Sequence, residues 1–134
     1  NIDKASARYR DIGLQADVLP FINDMAAMYG WADLVICRSG ALTVSEIAAA
    51  GVASVLVPYP FAVDDHQTAN GRYLSEAGAA LLFRQQELTA EKLAQALLPL
   101  MNRSALLEMA RAARAKAQPD ATDMVVTACL RGGK

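Results

Sequence analysis

Arg38-Ser-Gly-Ala-Leu-Thr-Val-Ser-Glu46-Ile-Ala-Ala-Ala-Gly51, entered from Leu34-Val-Ile-Cys37, decides how this chain is read. The short apolar run before Arg38, with its adjacent Val and Ile, predicts a strand buried on both faces, as in parallel sheets. Ser39 and Gly40 break it. From Ala41 the spacing becomes helical: Leu42, Val44, Ile47 and Ala48 form an apolar stripe, and Gly51 supplies a left-handed stop. The unit is strand, glycine turn, helix.

Such a turn aims the unbonded N–H groups of the first helical turn, and the positive end of the helix dipole, beyond the strand's carboxyl end. That is a phosphate site. Glu46 follows about one helical turn, roughly 5 Å, further on, which is about the separation of a nucleotide's phosphate from its ribose. A carboxylate there can accept from both ribose hydroxyls, as the acidic residue of dinucleotide folds does. The alternative is a capping box, in which Thr43 is the N-cap and Glu46 reaches back to its N–H.

The 134 residues make one domain's worth of chain, and 54% of them are hydrophobic, with few aromatics, which suits helices packed closely on a sheet. A formal charge of −1, with Lys and Arg scattered, excludes a global field for nucleic acid. Cys37 and Cys129 form neither a disulfide framework nor a metal pair, and the single histidine argues against His-rich metal chemistry. No apolar run is long enough to span a membrane, and no signal-peptide pattern opens the chain. The opening residues, Asn1-Ile-Asp-Lys4 onward, lack an initiator Met and read as entering a helix midway, so the chain is expected to be a piece of a longer protein.

Outward from the central unit, the patterning predicts helices over 4–12 and 25–31, the second capped by Asn23 or Asp24, with a short strand over 16–19 between them. Strands follow at 34–37, 53–57 and 80–83, alternating with helices at 41–50 and 66–77. Three helices finish the chain, at 89–100 capped by Thr89, 104–117 and 121–131. Arg103, Arg111, Arg114 and Lys116 read as a solvated helix face. The fold class is α/β, a Rossmann-like parallel sheet with flanking helices that lacks its first strand or strands. Ligands of such sheets bind at the carboxyl ends of the strands. The turn at 39–42 and the loop at 59–67 both fall there.

The second loop, Asp64-Asp-His-Gln-Thr-Ala-Asn70, gathers polar side chains at the start of a helix. One reading has Asp65 as a cap and the rest facing solvent. The other has His66 and Gln67 presenting donors and acceptors to a polar ligand such as a sugar, a task for which an amide is suited. Asp64 and Asp65 form the only acidic pair to consider for a metal, and no metal site is expected.

Three stretches together, Phe21-Ile-Asn-Asp-Met25, Ala32 through Gly51 and Val57 through Asn70, closely resemble the carboxyl-terminal domain of the MurG family of bacterial glycosyltransferases. The resemblance implies a GT-B architecture, two Rossmann-like domains with the donor between them, of which residues 1–134 would be most of the donor-binding one. It implies transfer of N-acetylglucosamine from UDP-N-acetylglucosamine to lipid I, giving lipid II, with inversion and without a cofactor. By position, Ile22 would contact uracil through its backbone, with Met25 packed nearby. Ala41, Leu42 and Thr43, beyond the Ser39-Gly40 turn, would meet the diphosphate, Glu46 the ribose, and His66 and Gln67 the N-acetylglucosamine.

The family's two glycine-rich loops are not in this chain, and neither are its acceptor surface, its membrane-facing patch or its proposed catalytic base. No catalytic residue is therefore assigned, and the chain by itself is expected to be inactive. Lipid I and the membrane, at the cytoplasmic face of the inner membrane, would be met through the amino-terminal domain. The rivals are another UDP-sugar transferase or epimerase on the same architecture, and a non-catalytic nucleotide-sugar sensor. Dinucleotide binding is disfavoured because G-x-G-x-x-G is absent.

Overall fold

In the computed structural model, which describes residues 2–61 and 65–131, a parallel sheet of three strands carries the order β1-β2-β3. The strands are β1 (Leu34–Cys37), β2 (Ala53–Leu56) and β3 (Ala80–Leu82), in register from Leu34 opposite Ala53 and from Ser54 opposite Ala80. The seven α-helices among the described residues are α1 (Ile2–Asp11), α2 (Met25–Trp31), α3 (Ala41–Ala50), α4 (His66–Ser75), α5 (Ala90–Leu97), α6 (Arg103–Ala115) and α7 (Ala121–Arg131). Helix α3 links β1 to β2, and α4 links β2 to β3. The predicted α/β class and its alternation stand.

The core is the seam where α3 meets the sheet, α4 and α6. Ile47, Val44 and Ala48 of α3 are buried together with Tyr29, Val52, Leu56, Leu74, Ala79, Ala80 and Ala113. Full burial of an aliphatic side chain such as Ile47 or Leu56 is worth about 1.5–3 kcal/mol, so these few residues set the position of α3 over β1 and β2. Leu42, placed in the stripe by sequence, is 80% exposed. It stands two residues before Val44, about 200° around a helix of 3.6 residues per turn, and so faces away from the core.

Local chemistry fixes the helix starts. Asp24 accepts the Ala27 N–H at 2.9 Å, Thr89 the Lys92 N–H at 3.2 Å and Asn102 the Ala105 N–H at 2.8 Å, each meeting a donor that the first turn leaves open. The helix expected over 89–100 ends as an α-helix at Leu97 and tightens into a 3-10 turn, Leu98–Leu100. Pro99 has no N–H to give to the preceding turn.

Three further expectations fail. Residues 16–19 form no strand, because a strand exists only by pairing and no ladder partner stands beside them among the described residues. Strand β1 is half-buried and not buried on both faces, with Ile36 49% exposed; it pairs with β2 alone among the described residues. Helices α1 and α7 bury none of their residues. The basic group on α6 is also more than a solvated face. Arg114 donates to the Ala49 carbonyl at the end of α3, and the Lys116 ammonium lies 4.2 Å from the Tyr73 ring centre while its carbonyl accepts the Tyr73 hydroxyl at 2.8 Å.

Gly51 ends α3 with φ of 67°, and its N–H bonds back to Ala48 and Ile47. An added Cβ there would lie 3.1 Å from Arg114 Cβ. Gly51→Ala should therefore cost about 1–2 kcal/mol, the penalty for an L-residue in the left-handed region, read as a lower urea midpoint at unchanged slope.

Candidate functional site

Helix α3 begins without a side-chain cap. Gly40, in extended backbone at φ −60°, is the N-cap, and no acidic residue stands in the first turn. The first intrahelical bond runs from the Val44 N–H to the Gly40 carbonyl at 3.0 Å. The N–H groups of Ala41, Leu42 and Thr43 precede that bond, so the helix end keeps its partial positive charge. The capping-box alternative is overturned: Thr43 is the third helical residue, not the N-cap, and Glu46 does not reach back to it.

Glu46 instead accepts a hydrogen bond from the Tyr29 hydroxyl, at 3.0 Å to Oε2. Tyr29 rises from α2 with only 8% of its surface exposed, whereas Glu46 is exposed. Burial pushes the Tyr29 phenol up to about 12, and the bond to the Glu46 carboxylate adds to the shift. The phenol therefore stays protonated and donating through the neutral range.

The turn before α3 is tied to the second loop. Ser39 is fully buried; its hydroxyl donates to the Gln67 carbonyl at 2.7 Å, and its own carbonyl accepts the Asn70 amide at 3.2 Å. Gly71 packs beside this junction: a Cβ there would stand 2.6 Å from Leu82 Cδ1, which would have to shift, and at 3.5 Å from Ser39 Cβ and Oγ it would make ordinary contact. Ser39, Gly40, Ala41, Leu42, Thr43, His66 and Gln67 are thus held at one edge of the sheet.

Gln67 is half-buried, and its Oε1 accepts the Tyr59 N–H at 2.9 Å. The carbonyl half of the amide is occupied in holding the loop after β2, which leaves the NH2 half to donate outward. His66 is exposed at the first position of α4. Asp65 stands at the N-cap of α4 with φ of 53°, but it makes no side-chain cap; its carboxylate accepts the Thr68 hydroxyl at 2.6 Å. Asp64 lies outside the described residues. Ile22 is half-buried in the loop before α2, and Met25 opens that helix with 39% of its surface exposed.

Sequence reading missed Arg38. Its guanidinium donates to the Val57 and Pro58 carbonyls at 3.1 and 3.0 Å and to Gln85 Oε1 at 2.5 Å, and it lies 5.6 Å from the Tyr59 ring centre. One side chain from the end of β1 so clamps the segments that leave β2 and β3. A basic residue just past a strand was the only signal. A cavity of about 180 Å³ lies beside this clamp, lined by Pro58, Tyr59, Pro60, Asp65, Thr68, Arg84, Gln85 and Gln86. A larger one, about 570 Å³, lies at the opposite edge, by Leu34 and Val52 at the amino ends of β1 and β2. Size favours the second, but the open helix end and the aimed carboxylate are at the carboxyl edge, and chemistry is the better guide.

Comparison with known proteins agrees with this fold. Residues 1–125 match the glycosyltransferase family 28 C-terminal domain. The UDP-N-acetylglucosamine--N-acetylmuramyl-(pentapeptide) pyrophosphoryl-undecaprenol N-acetylglucosamine transferase of Marinobacter nauticus is 57% identical over 131 residues, covering 97% of this chain and 36% of the relative. The same enzyme of Cupriavidus metallidurans is 59% identical over 128 residues, covering 96% of this chain and 36% of the relative. The crystal structure of Acinetobacter baumannii MurG superposes with a TM-score of 0.92 at 52% identity, over 97% of this chain and 38% of that one. The chain therefore spans about 36% of the length of the curated relatives.

The raised Tyr29 pKa has a consequence for alkaline stability. A neutral phenol stabilised by folding contributes fully below its unfolded pKa of about 10, and that contribution is lost as pH rises through about 12. Tyr29→Phe should flatten this alkaline limb of the stability profile and remove a phenolate absorbance step near pH 12, both measurable by ultraviolet titration and urea melts.

Proposed function

The chain belongs to the glycosyltransferase family 28 C-terminal domain family, and from that premise we propose that it is the donor-binding part of an inverting transferase. The enzyme moves N-acetylglucosamine from UDP-N-acetylglucosamine to the muramoyl sugar of lipid I, forming lipid II for peptidoglycan. The observation that carries this reading is the uncapped amino end of α3 with Glu46 one turn along it. The names of the M. nauticus and C. metallidurans relatives support the choice of donor and acceptor.

In this reading the N–H groups of Ala41, Leu42 and Thr43 face the diphosphate and Glu46 accepts the ribose hydroxyls. Ile22 and Met25 flank the uracil, and His66 with the Gln67 NH2 addresses the sugar. The acceptor hydroxyl attacks the anomeric carbon as the bond to the UDP oxygen breaks, and its proton leaves to a base outside this chain. Negative charge grows on the departing diphosphate. Fixed N–H dipoles aimed at it stabilise that charge more in the transition state than in the ground state. The enzyme works peripherally at the cytoplasmic face of the inner membrane, with lipid I and the membrane engaged by the rest of the polypeptide. No described helix is long and apolar enough to cross a membrane.

Two variants test the assignment in the full natural polypeptide that carries this sequence. Glu46→Ala should weaken UDP binding by about 1.5–3 kcal/mol, the worth of hydrogen bonds to a charged group, measured by calorimetry. Unchanged affinity would remove Glu46 from the site. Gln67→Glu keeps an oxygen for the Tyr59 N–H and deletes the outward NH2. It should lower turnover of UDP-N-acetylglucosamine while UDP affinity stays within a few-fold of normal, since only contacts to the sugar are lost. Equal losses of both would sink the sugar assignment.

A further inference from the structure

Resting on the ribose reading of Glu46, we infer that Tyr29 is a positioning residue for donor binding: its hydroxyl fixes the Glu46 carboxylate in the orientation that receives the ribose diol. The phenol donates to Oε2 at 3.0 Å. Glu46 is exposed and, without this bond, would be a flexible side chain sampling many rotamers. Tyr29, in contrast, is 8% exposed, its ring packed in the same core as Val44, Ile47 and Ala48 of α3. A buried ring with two side-chain torsions is a rigid anchor for a carboxylate with three.

The hydrogen-bond inventory leaves room for a ligand. A carboxylate has about four lone-pair directions over its two oxygens, and the phenol occupies one. Oε1 and the second direction of Oε2 remain for two hydroxyl donors, the number on a ribose diol. Because the phenol is a donor and stays protonated, it does not compete for the ligand's protons.

The same tie couples two subsites. Tyr29 lies four residues after Met25 on α2, so both project from one face of a single short helix. A helix that carries the expected base contact at its first turn thus also holds the carboxylate of α3. The spacing between base and ribose contacts is then set by α2–α3 packing and not by a free side chain.

The test is calorimetric titration of the full natural polypeptide with UDP and with 2′,3′-dideoxy-UDP. Tyr29→Phe keeps the ring and should weaken UDP by roughly 3- to 10-fold, the range for one net hydrogen bond, while changing dideoxy-UDP affinity by less than about 2-fold. In a Glu46→Ala background the same substitution should have no further effect, giving a coupling equal to its single effect. Equal weakening of both nucleotides would make Tyr29 merely structural and overturn the proposal. So would an unchanged UDP affinity in Tyr29→Phe when Glu46→Ala weakens UDP. Unchanged UDP affinity in Glu46→Ala would instead bring down the ribose reading and the proposal with it. Should Tyr29→Phe fail to fold, 4-aminophenylalanine in place of Tyr29 decides the matter, since it keeps the ring and puts a weaker neutral donor at the hydroxyl position: a loss confined to UDP supports the proposal, whereas equal losses of both nucleotides overturn it.

Discussion

The arrangement depends on Ser39. Buried completely at the end of β1, it spends its hydroxyl on the Gln67 carbonyl and its carbonyl on the Asn70 amide. Neither bond is worth more than about 0.5–1.5 kcal/mol net, yet breaking one would strand a buried polar group at about 1–3 kcal/mol. That asymmetry locks the turn before α3 against the first turn of α4.

Once the two loops are locked, electrostatics follows from backbone alone. Helix α3 presents its amino end at the carboxyl edge of the sheet because a parallel crossover must start there. Gly40 offers no side chain to neutralise that end. A Ser or Asp at the same position would cap the helix more stably and would occupy the donors that an anionic ligand needs. The chain thus forgoes a local stabilisation of roughly a few tenths of a kcal/mol where its ligand is expected, which is the usual place for a fold to depart from its own rules.

Arg38 has a different part. Its three hydrogen bonds reach the exits of β2 and β3, so the carboxyl edge is tied across the sheet. Gln67 contributes from α4 by holding the Tyr59 N–H. Several residues that read as ligand contacts or loop filler are thus first of all braces for the edge, and what those braces leave over for the proposed ligand is the Gln67 NH2 and the unoccupied lone pairs of Glu46.

Sequence by itself determined the features whose causes are local. The strands expected at 34–37, 53–57 and 80–83, which form within a residue of those bounds, the helices between them, a cap at Asn23 or Asp24, the cap at Thr89 and the stop at Gly51 all follow from periodicity or from hydrogen bonds within four residues. The turn at Ser39-Gly40 is of the same kind, although only the structure shows that Gly40 and not Thr43 is the N-cap of α3. Tertiary structure alone decided the rest. It left 16–19 unpaired, since a strand is defined by its neighbour and not by its own residues, and it exposed Ile36 and Leu42. It also chose partners that lie far apart in the chain: Tyr29 for Glu46, Arg38 for Val57, Pro58 and Gln85, Arg114 for Ala49. Nothing in the spacing of Tyr29 and Glu46 foretells their bond, because it depends on how two helices pack, and that is fixed by the buried surface they share.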